Sequence, residues 1–94
     1  METIIQEQET ENKGSFYFEK EGERLAEMTF SKAGSDKIII DHTEVSDTLR
    51  GTGMGAKLVE YAVEYARKNK VKIIPLCPFA KATLKRHQEW NDVL

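Results

Sequence analysis

Three glycines within five residues are the strongest sign of chemistry in this sequence. Gly51, Gly53 and Gly55 lie between a run of β-branched residues and a stretch with helical periodicity. Glycines let backbone N–H groups approach a ligand without obstruction by a Cβ atom, and the free N–H groups of a helix's first turn favour an anion. The segment therefore predicts a phosphate-binding turn, although glycines also serve tight turns and close helix packing.

Two further residues are of types that can take part in catalysis. Cys77, the only cysteine, directly follows a short apolar segment that has the character of a strand. In sheets with parallel strands, functional groups gather at the carboxyl ends of those strands. Its thiol can act as a nucleophile, donate a proton or simply fill space in the core. His42 is a candidate general base because histidine as a residue type can exchange a proton near neutral pH, and a strand histidine bonded to a neighbour is the alternative.

The elements that must position these residues begin with strands. Aromatic and β-branched runs at residues 15–19, 24–30 and 37–45 predict antiparallel strands separated by glycine turns, and residues 3–10 alternate weakly as a further strand. The run at 37–45 is expected to be a central, well-buried strand because its apolar core is β-branched. His42 lies near the end of that strand.

The second half of the chain favours helices. Apolar and small residues recur at spacings of three and four from residue 54 to about 69, which predicts an amphipathic helix. Residues 71–76 suggest a short buried strand, so strand, helix and strand form a right-handed βαβ unit. Pro78 marks the start of a last helix, and the final seven residues are uninformative. The predicted fold class is α+β, with a mixed, mainly antiparallel sheet, a βαβ unit after the glycine-rich turn and a short C-terminal helix.

Composition limits the classes of protein that are expected. The chain has 94 residues, 39% of them hydrophobic and 32% charged, which predicts one small domain over residues 1–94 without an apolar run that could span a membrane. The first thirteen residues lack the features of a signal peptide, so we expect a cytoplasmic protein. One cysteine excludes an internal disulfide and leaves too few soft ligands for structural zinc, so no metal site is expected.

Charge is unevenly distributed along the chain, despite a net charge of only −2. Residues 1–49 hold five basic and twelve acidic side chains, whereas residues 50–87 hold nine and two. The half that contains the glycine turn should attract anions, although basic helix surfaces also serve solubility. Nucleic acid is not the expected anion, because neither a recognition helix nor an aromatic RNA platform is evident.

The order of residues around the glycines resembles the acetyl-coenzyme A signature of the GNAT superfamily of N-acetyltransferases. That signature is [QR]-x-x-G-x-[GA], with a valine five residues ahead and a leucine three behind. The matching positions here are Val45, Arg50, Gly53, Gly55 and Leu58. The chain length and the run at 41–43 resemble the small single-domain branch of that superfamily. The resemblance covers nearly the whole chain and implies a GNAT-like fold with acetyl-CoA (coenzyme A) as cofactor.

The resemblance also implies a site, residue by residue. In that family the turn and helix start bind the pyrophosphate of the coenzyme, and the end of the preceding strand pairs with the pantetheine arm. The residues that would hold the pyrophosphate are Arg50, Gly51, Thr52, Gly53, Met54 and Gly55. Glu44 and Val45 would offer backbone groups to the arm.

The family pattern is less complete where catalysis would occur. Larger relatives have N-x-x-A-x-x-L-Y after the second strand of the βαβ unit, with a tyrosine that protonates the departing thiolate. Here Cys77 falls at the asparagine, Ala80 matches and Leu84 replaces the tyrosine. The sequence thus predicts an N-acetyltransferase with Cys77 and His42 as catalytic residues and an amine or protein as acceptor. The missing tyrosine leaves a catalytically inactive coenzyme-binding or protein-interaction module as the alternative.

Overall fold

Five strands form one sheet in the order in which they occur in the chain. The computed structural model describes residues 4–94, so Thr3, the first residue of the earliest predicted strand, lies outside it. The strands are β1 (Gln6–Glu9), β2 (Lys13–Lys20), β3 (Glu23–Ala33), β4 (Lys37–Val45) and β5 (Lys72–Pro75). Neighbours from β1 to β4 are antiparallel, whereas β5 runs parallel to β4. The predicted mixed, mainly antiparallel sheet is confirmed.

Two α-helices follow the antiparallel part of the sheet. The helices are α1 (Met54–Asn69) and α2 (Pro78–Arg86), and two short 3-10 helices cover Asp47–Leu49 and Gln88–Val93. α1 joins β4 to the parallel strand β5, as the predicted βαβ unit requires. It ends where Lys70 adopts a left-handed conformation with φ of 57°, and its N–H bonds the carbonyls of the last turn. Neither α1 nor α2, within residues 4–94, combines the length and apolar character needed to cross a bilayer.

The core lies between the helices and one face of the sheet. The apolar stripe predicted for α1 is buried and consists of Leu58, Val59, Ala62, Val63 and Ala66. On the sheet, Phe16 stacks on Phe30 with ring centroids 4.8 Å apart, and Tyr65 of α1 meets Phe16 edge-on at 5.2 Å. Gly14 lies directly over the Phe30 ring, where a Cβ atom would collide with it. The aromatic cluster therefore joins β2, β3 and α1.

The prediction of a central, well-buried strand is only half correct for β4. β3 occupies the middle of the sheet, and β4 lies between it and the edge strand β5. Ile38 and Ile40 are buried, whereas the strand beyond them is largely exposed. A β-bulge at Asp41 interrupts its pairing with β3, and β5 pairs with β4 only as far as Ile40. The second half of β4 consequently extends past the core.

The C-terminal segment, for which the sequence showed no pattern, is held by tertiary contacts. Trp90 and Val93 are buried, and the Trp90 ring stacks on His87 at 4.1 Å. Arg67 of α1 donates hydrogen bonds to Asp92 at 2.9 and 3.1 Å. The segment thus closes one end of the core.

Candidate active site

A groove opens where β4 and β5 part. The N–H groups of Leu76 and Cys77 both donate to the Ile40 carbonyl at 3.1 Å, and the pairing of the two strands stops at that residue. β4 continues to Val45 with hydrogen bonds to β3 alone. Among residues 4–94, no strand therefore lies beside the edge of residues 41–45 that faces away from β3.

The groove has a volume of about 460 Å³ and lies between the end of β4, the start of α1 and α2. Its walls are formed by Thr43, Val45, Gly51, Gly53, Met54, Gly55, Ala56, Phe79 and Arg86. Of the residues predicted to bind the coenzyme, Val45, Gly51, Gly53, Met54 and Gly55 are among them. The turn and the strand end thus line the same groove.

Two of the three glycines are required by the backbone. Gly51 and Gly53 have φ of 83° and 77°, a left-handed conformation that L side chains rarely adopt. A Cβ atom at either position would meet no other atom within 4 Å, so the space beside both glycines is open. Gly53 is the N-cap of α1 and provides no side-chain cap. The N–H groups of the first turn of α1 are therefore available to an anion.

The third glycine serves packing. A Cβ atom at Gly55 would lie 2.5 Å from Cζ of Phe79, so the absence of a side chain allows the Phe79 ring to rest against α1. Close helix packing, an alternative that the sequence left open for the glycines, therefore explains this position. The ring remains 41% exposed and forms an apolar part of the groove wall.

Three of the predicted coenzyme-binding residues have other contacts. Arg50 pairs with Asp47 at 2.8 Å, and Oγ1 of Thr52 donates to the Leu49 carbonyl at 2.6 Å. The backbone N–H groups of Arg50 and Thr52 donate within the same turn, at 3.1 Å each. The side chain of Glu44, the third residue, binds His42. Arg50 and Thr52 thus contact other residues of the turn, and their binding to the coenzyme stays a prediction.

Cys77 lies behind the groove wall, at the N-cap of α2. It is 6% exposed, and its Sγ lies 3.4 Å from Oγ1 of Thr43, which lines the groove. Burial raises the pKa of the Cys77 thiol, but hydrogen bonds with Thr43 and from the N–H groups of Ala80 and Phe79 outweigh it and place the pKa below its ordinary value. The surroundings of Cys77 therefore make its thiol a stronger acid than an ordinary cysteine.

His42 lies on the opposite face of the sheet from Cys77. Thr43 pairs with the buried Met28 and so faces the helices, which leaves its neighbour His42 facing away from them. The imidazole is 64% exposed, and its Nε2 lies 2.9 Å from Oε1 of Glu44. The two predicted catalytic residues are thus not in contact, although both flank the point where β4 and β5 part.

Sequence reasoning missed four residues of the groove: Thr43, Ala56, Phe79 and Arg86. One signal for the last two was present, because they are seven residues apart and α2 places such residues on one face. No sequence signal connects Thr43 with Cys77, since their contact spans 34 residues.

The chain matches the profile of a protein family over most of its length. The family profile of the GCN5-related N-acetyl-transferases matches residues 15–93, from β2 to the last 3-10 helix. That match covers most of the chain, and the chain belongs to the GCN5-related N-acetyltransferase family. A search of curated protein sequences gave no match.

Solved structures agree with this assignment. A GCN5-like protein from Staphylococcus aureus, solved by NMR, is 44% identical with a TM-score of 0.72, over 94% of this chain and 85% of its own. The ribosomal-protein-alanine N-acetyltransferase of Brucella melitensis is 14% identical with a TM-score of 0.67, over 83% and 62%. A GNAT family acetyltransferase from Elizabethkingia anophelis, solved with acetyl-CoA bound, is 12% identical with a TM-score of 0.63, over 84% and 53%. The predicted GNAT-like α+β fold is confirmed.

Proposed function

We propose that this protein binds acetyl-coenzyme A in the groove between β4 and α1 and transfers the acetyl group to an amine. The observation that carries the proposal is the meeting of two sets of backbone groups: the unpaired edge of β4 and the first turn of α1. The amides of a pantetheine arm can pair with a strand edge, and a pyrophosphate can accept from helix N-terminal N–H groups. Family membership and the acetyl-CoA complex of a relative support the same ligand.

The reacting thioester is proposed to lie at the gap just beyond Ile40. The amine nitrogen attacks the thioester carbonyl carbon, a C–N bond forms, the C–S bond breaks and the coenzyme leaves as a thiolate. Cys77, on the helix side of the gap, gives its proton to the Thr43 hydroxyl at 3.4 Å, and that hydroxyl, which lines the groove, passes its own proton to the thiolate. His42 lies on the face of the sheet that points away from the helices, here called the open face. It accepts the proton that the amine loses, and Glu44 orients the imidazole. Solvent returns both residues to their starting states.

This arrangement gives the two faces of the sheet different tasks. The coenzyme occupies the helix side, where the groove and the positively charged half of the chain lie. The acceptor amine approaches from the open face, where His42, Glu44 and Asp41 are exposed. The separation of His42 from Cys77 is compatible with this reaction, because the amine nitrogen and the thiolate sulfur are different groups on the reacting carbon and exchange protons with different residues.

Steady-state acetyl transfer to a panel of small amines and lysine-containing peptides tests the proposal. We expect Cys77→Ser combined with His42→Gln to lower kcat by at least about 100-fold, the usual contribution of general acid–base catalysis, while coenzyme affinity is retained. Unchanged turnover in the double variant would refute the assignment of these residues. Coenzyme binding without turnover on any amine would instead support the inactive binding module.

The same samples distinguish direct transfer from a covalent route through Cys77. Wild-type protein incubated with acetyl-CoA in the absence of an amine should keep its original mass, because direct transfer forms no acetyl-enzyme. A mass increase of one acetyl group that is absent in Cys77→Ser would show that the thiol acts as a nucleophile.

A further inference from the structure

A second groove, with a volume of about 420 Å³, crosses the open face of the sheet. We call it the open-face groove, and its wall includes Glu9, Lys13, Ser15, Glu27, Thr29 and Asp41. Phe16 and Met28 are buried against the helices, so their neighbours Ser15 and Thr29 face the other side of the sheet. Thr29 pairs with Ser15 on one side and with His42 on the other. The groove therefore begins beside the proposed general base.

Two hydroxyl groups in the open-face groove have no partner within the protein. Ser15 is only 8% exposed, yet over residues 4–94 its hydroxyl forms no hydrogen bond. The hydroxyl of Thr29, directly opposite on β3, forms none there either. Buried polar groups are normally hydrogen-bonded, and each hydroxyl can both donate and accept. The two hydroxyls are therefore available to a polar ligand.

Charges of both signs in the open-face groove are also left without a counter-charge. Glu9 is held by a lysine at 3.1 Å and Glu27 by an arginine at 2.6 Å. Asp41 accepts a hydrogen bond from Ser31 at 2.6 Å but, among the residues that the structure describes, has no ion pair. Lys13 is exposed and has no ion pair within the same residues. One carboxylate and one ammonium group of the wall can thus bind a ligand.

These two charged residues lie across β3 from one another. Lys13 of β2 pairs with Ser31 of β3, and Ser31 contacts Asp41 of β4. Neighbouring strands are about 4.8 Å apart, so the two backbones are separated by roughly 10 Å, which the lysine side chain can shorten. Asp41 is at the end of the groove next to His42. The arrangement is complementary to a ligand with an ammonium group at that end and an anionic group towards Lys13.

We propose that the open-face groove binds the acceptor and that the acceptor is a free amino acid. This inference rests on the proposed function and names the class of amine that accepts the acetyl group. Asp41 binds the ammonium group next to His42, which takes the proton that the nitrogen loses. Lys13 binds the carboxylate, and the hydroxyls of Ser15 and Thr29 bind the polar atoms between the two ends. One lysine and two hydroxyls match the single charge of a carboxylate.

Steady-state acetyl transfer to amino acids and to their amides, in which a neutral group replaces the carboxylate, tests this proposal. We expect the wild-type protein to use an amino acid with a kcat/KM about 10-fold above that of its amide, as for a charged hydrogen bond. Lys13→Met keeps a long side chain without the charge and should lower kcat/KM for the amino acid alone. Lys20, at the other end of β2, is exposed and outside the groove wall. Lys20→Met should therefore keep the preference within about twofold.

The ammonium end of the site is tested by Asp41→Asn, which removes the charge but can still accept the hydrogen bond from Ser31. We expect it to raise the KM of an amino acid and of its amide alike, by about 10-fold, because both carry the ammonium group. The affinity for acetyl-CoA should be unchanged. Asp36→Asn, in the exposed turn before β4, is the matched control and should behave as the wild type. An unchanged KM in Asp41→Asn would overturn the proposed ammonium site.

The remaining outcomes separate this inference from the proposed function. Equal use of amino acids and their amides by the wild type would overturn the inference and leave the proposed acetyl transfer in place. An unchanged preference in Lys13→Met, or an equal loss in Lys20→Met, would do the same. Absence of transfer to any amine, in a folded protein that binds acetyl-CoA, would overturn the proposed transfer together with this inference.

Discussion

At the scale of single residues, the Thr43 hydroxyl links the groove to Cys77. Burial raises the pKa of the Cys77 thiol, and the contact with Thr43 is the largest of the effects that lower it. Removing that contact should therefore shift the pKa of the thiol upward. The proton donor proposed here would then be less acidic, although the fold would be unchanged.

We predict that Thr43→Val raises the pH at which the thiolate of Cys77 forms. In the wild-type protein the midpoint should lie below the ordinary pKa of a cysteine thiol, since hydrogen bonds to the sulfur favour its charged form. Thiolate absorbance near 240 nm, taken as the difference from Cys77→Ser, measures the midpoint in each protein. An equal or lower midpoint in Thr43→Val would contradict the role given to the hydroxyl.

The sequence identified Cys77 and the glycines as site residues but could not assign the faces of β4. Simple alternation places Ile38, Ile40 and His42 on one face of a strand. The bulge at Asp41 adds one residue, so that Thr43 follows Ile40 on the helix side and His42 is turned outward. A bulge depends on the pairing of two strands, and the sequence of one strand does not reveal it.

At the scale of elements, two glycines each make room for an aromatic ring from another element. Gly14 of β2 lies over Phe30 of β3, and Gly55 of α1 lies against Phe79 of α2. Phe30 is 1% exposed and stacked on Phe16, whereas Phe79 is 41% exposed at the groove. One ring is therefore fixed by the core, and the other can move towards solvent.

We predict that Gly14→Ala destabilises the protein by about 1 to 3 kcal/mol, because the added methyl group must displace a buried ring. Gly55→Ala should have a much smaller effect on stability, since the Phe79 ring can shift and alanine favours a helix. Urea unfolding followed by circular dichroism measures both changes. An effect of Gly55→Ala as large as that of Gly14→Ala would show that Phe79 is as fixed as the core.

The sequence predicts a helix or strand well where a local pattern of residues determines it. The sequence periodicity predicted both ends of α1. The apolar stripe of this helix is buried along its whole length, and the helix ends at Asn69 and Lys70. The strand Gln6–Glu9 gave only a weak pattern because all four of its residues are exposed. The C-terminal segment gave none, since its conformation depends on burial of Trp90 and on Arg67 of a distant helix.

At the scale of the whole molecule, contacts between remote residues tie the edge strand to the main helix. Tyr61 and Tyr65 of α1 donate hydrogen bonds to Glu7 and Glu9 of β1 at 2.6 and 2.7 Å. Burial, together with the bond to Glu7, raises the pKa of Tyr61 to about 12, so its hydroxyl remains a donor at neutral pH. These pairs span 54 and 56 residues, which places them beyond any local sequence pattern.

The glycine turn is proposed to bind acetyl-CoA. Gly22, in another turn of the chain, provides a matched control for substitutions at Gly53. Both glycines have left-handed φ, of 80° and 77°, and a Cβ atom at either position would meet open space. Glutamate at either position therefore adds similar backbone strain and the same charge. Only Gly53 lies in the groove.

Thermal unfolding with and without acetyl-CoA, in wild type, Gly22→Glu and Gly53→Glu, tests this claim most directly. At about 100 times the Kd, the ligand should stabilise wild type and Gly22→Glu by roughly 2.7 kcal/mol, a rise in Tm of about 10 to 20 °C. Gly53→Glu should show no rise, because its carboxylate would occupy the anion site. The claim would be contradicted if acetyl-CoA left the Tm of the wild type unchanged or raised that of Gly53→Glu as much as that of Gly22→Glu.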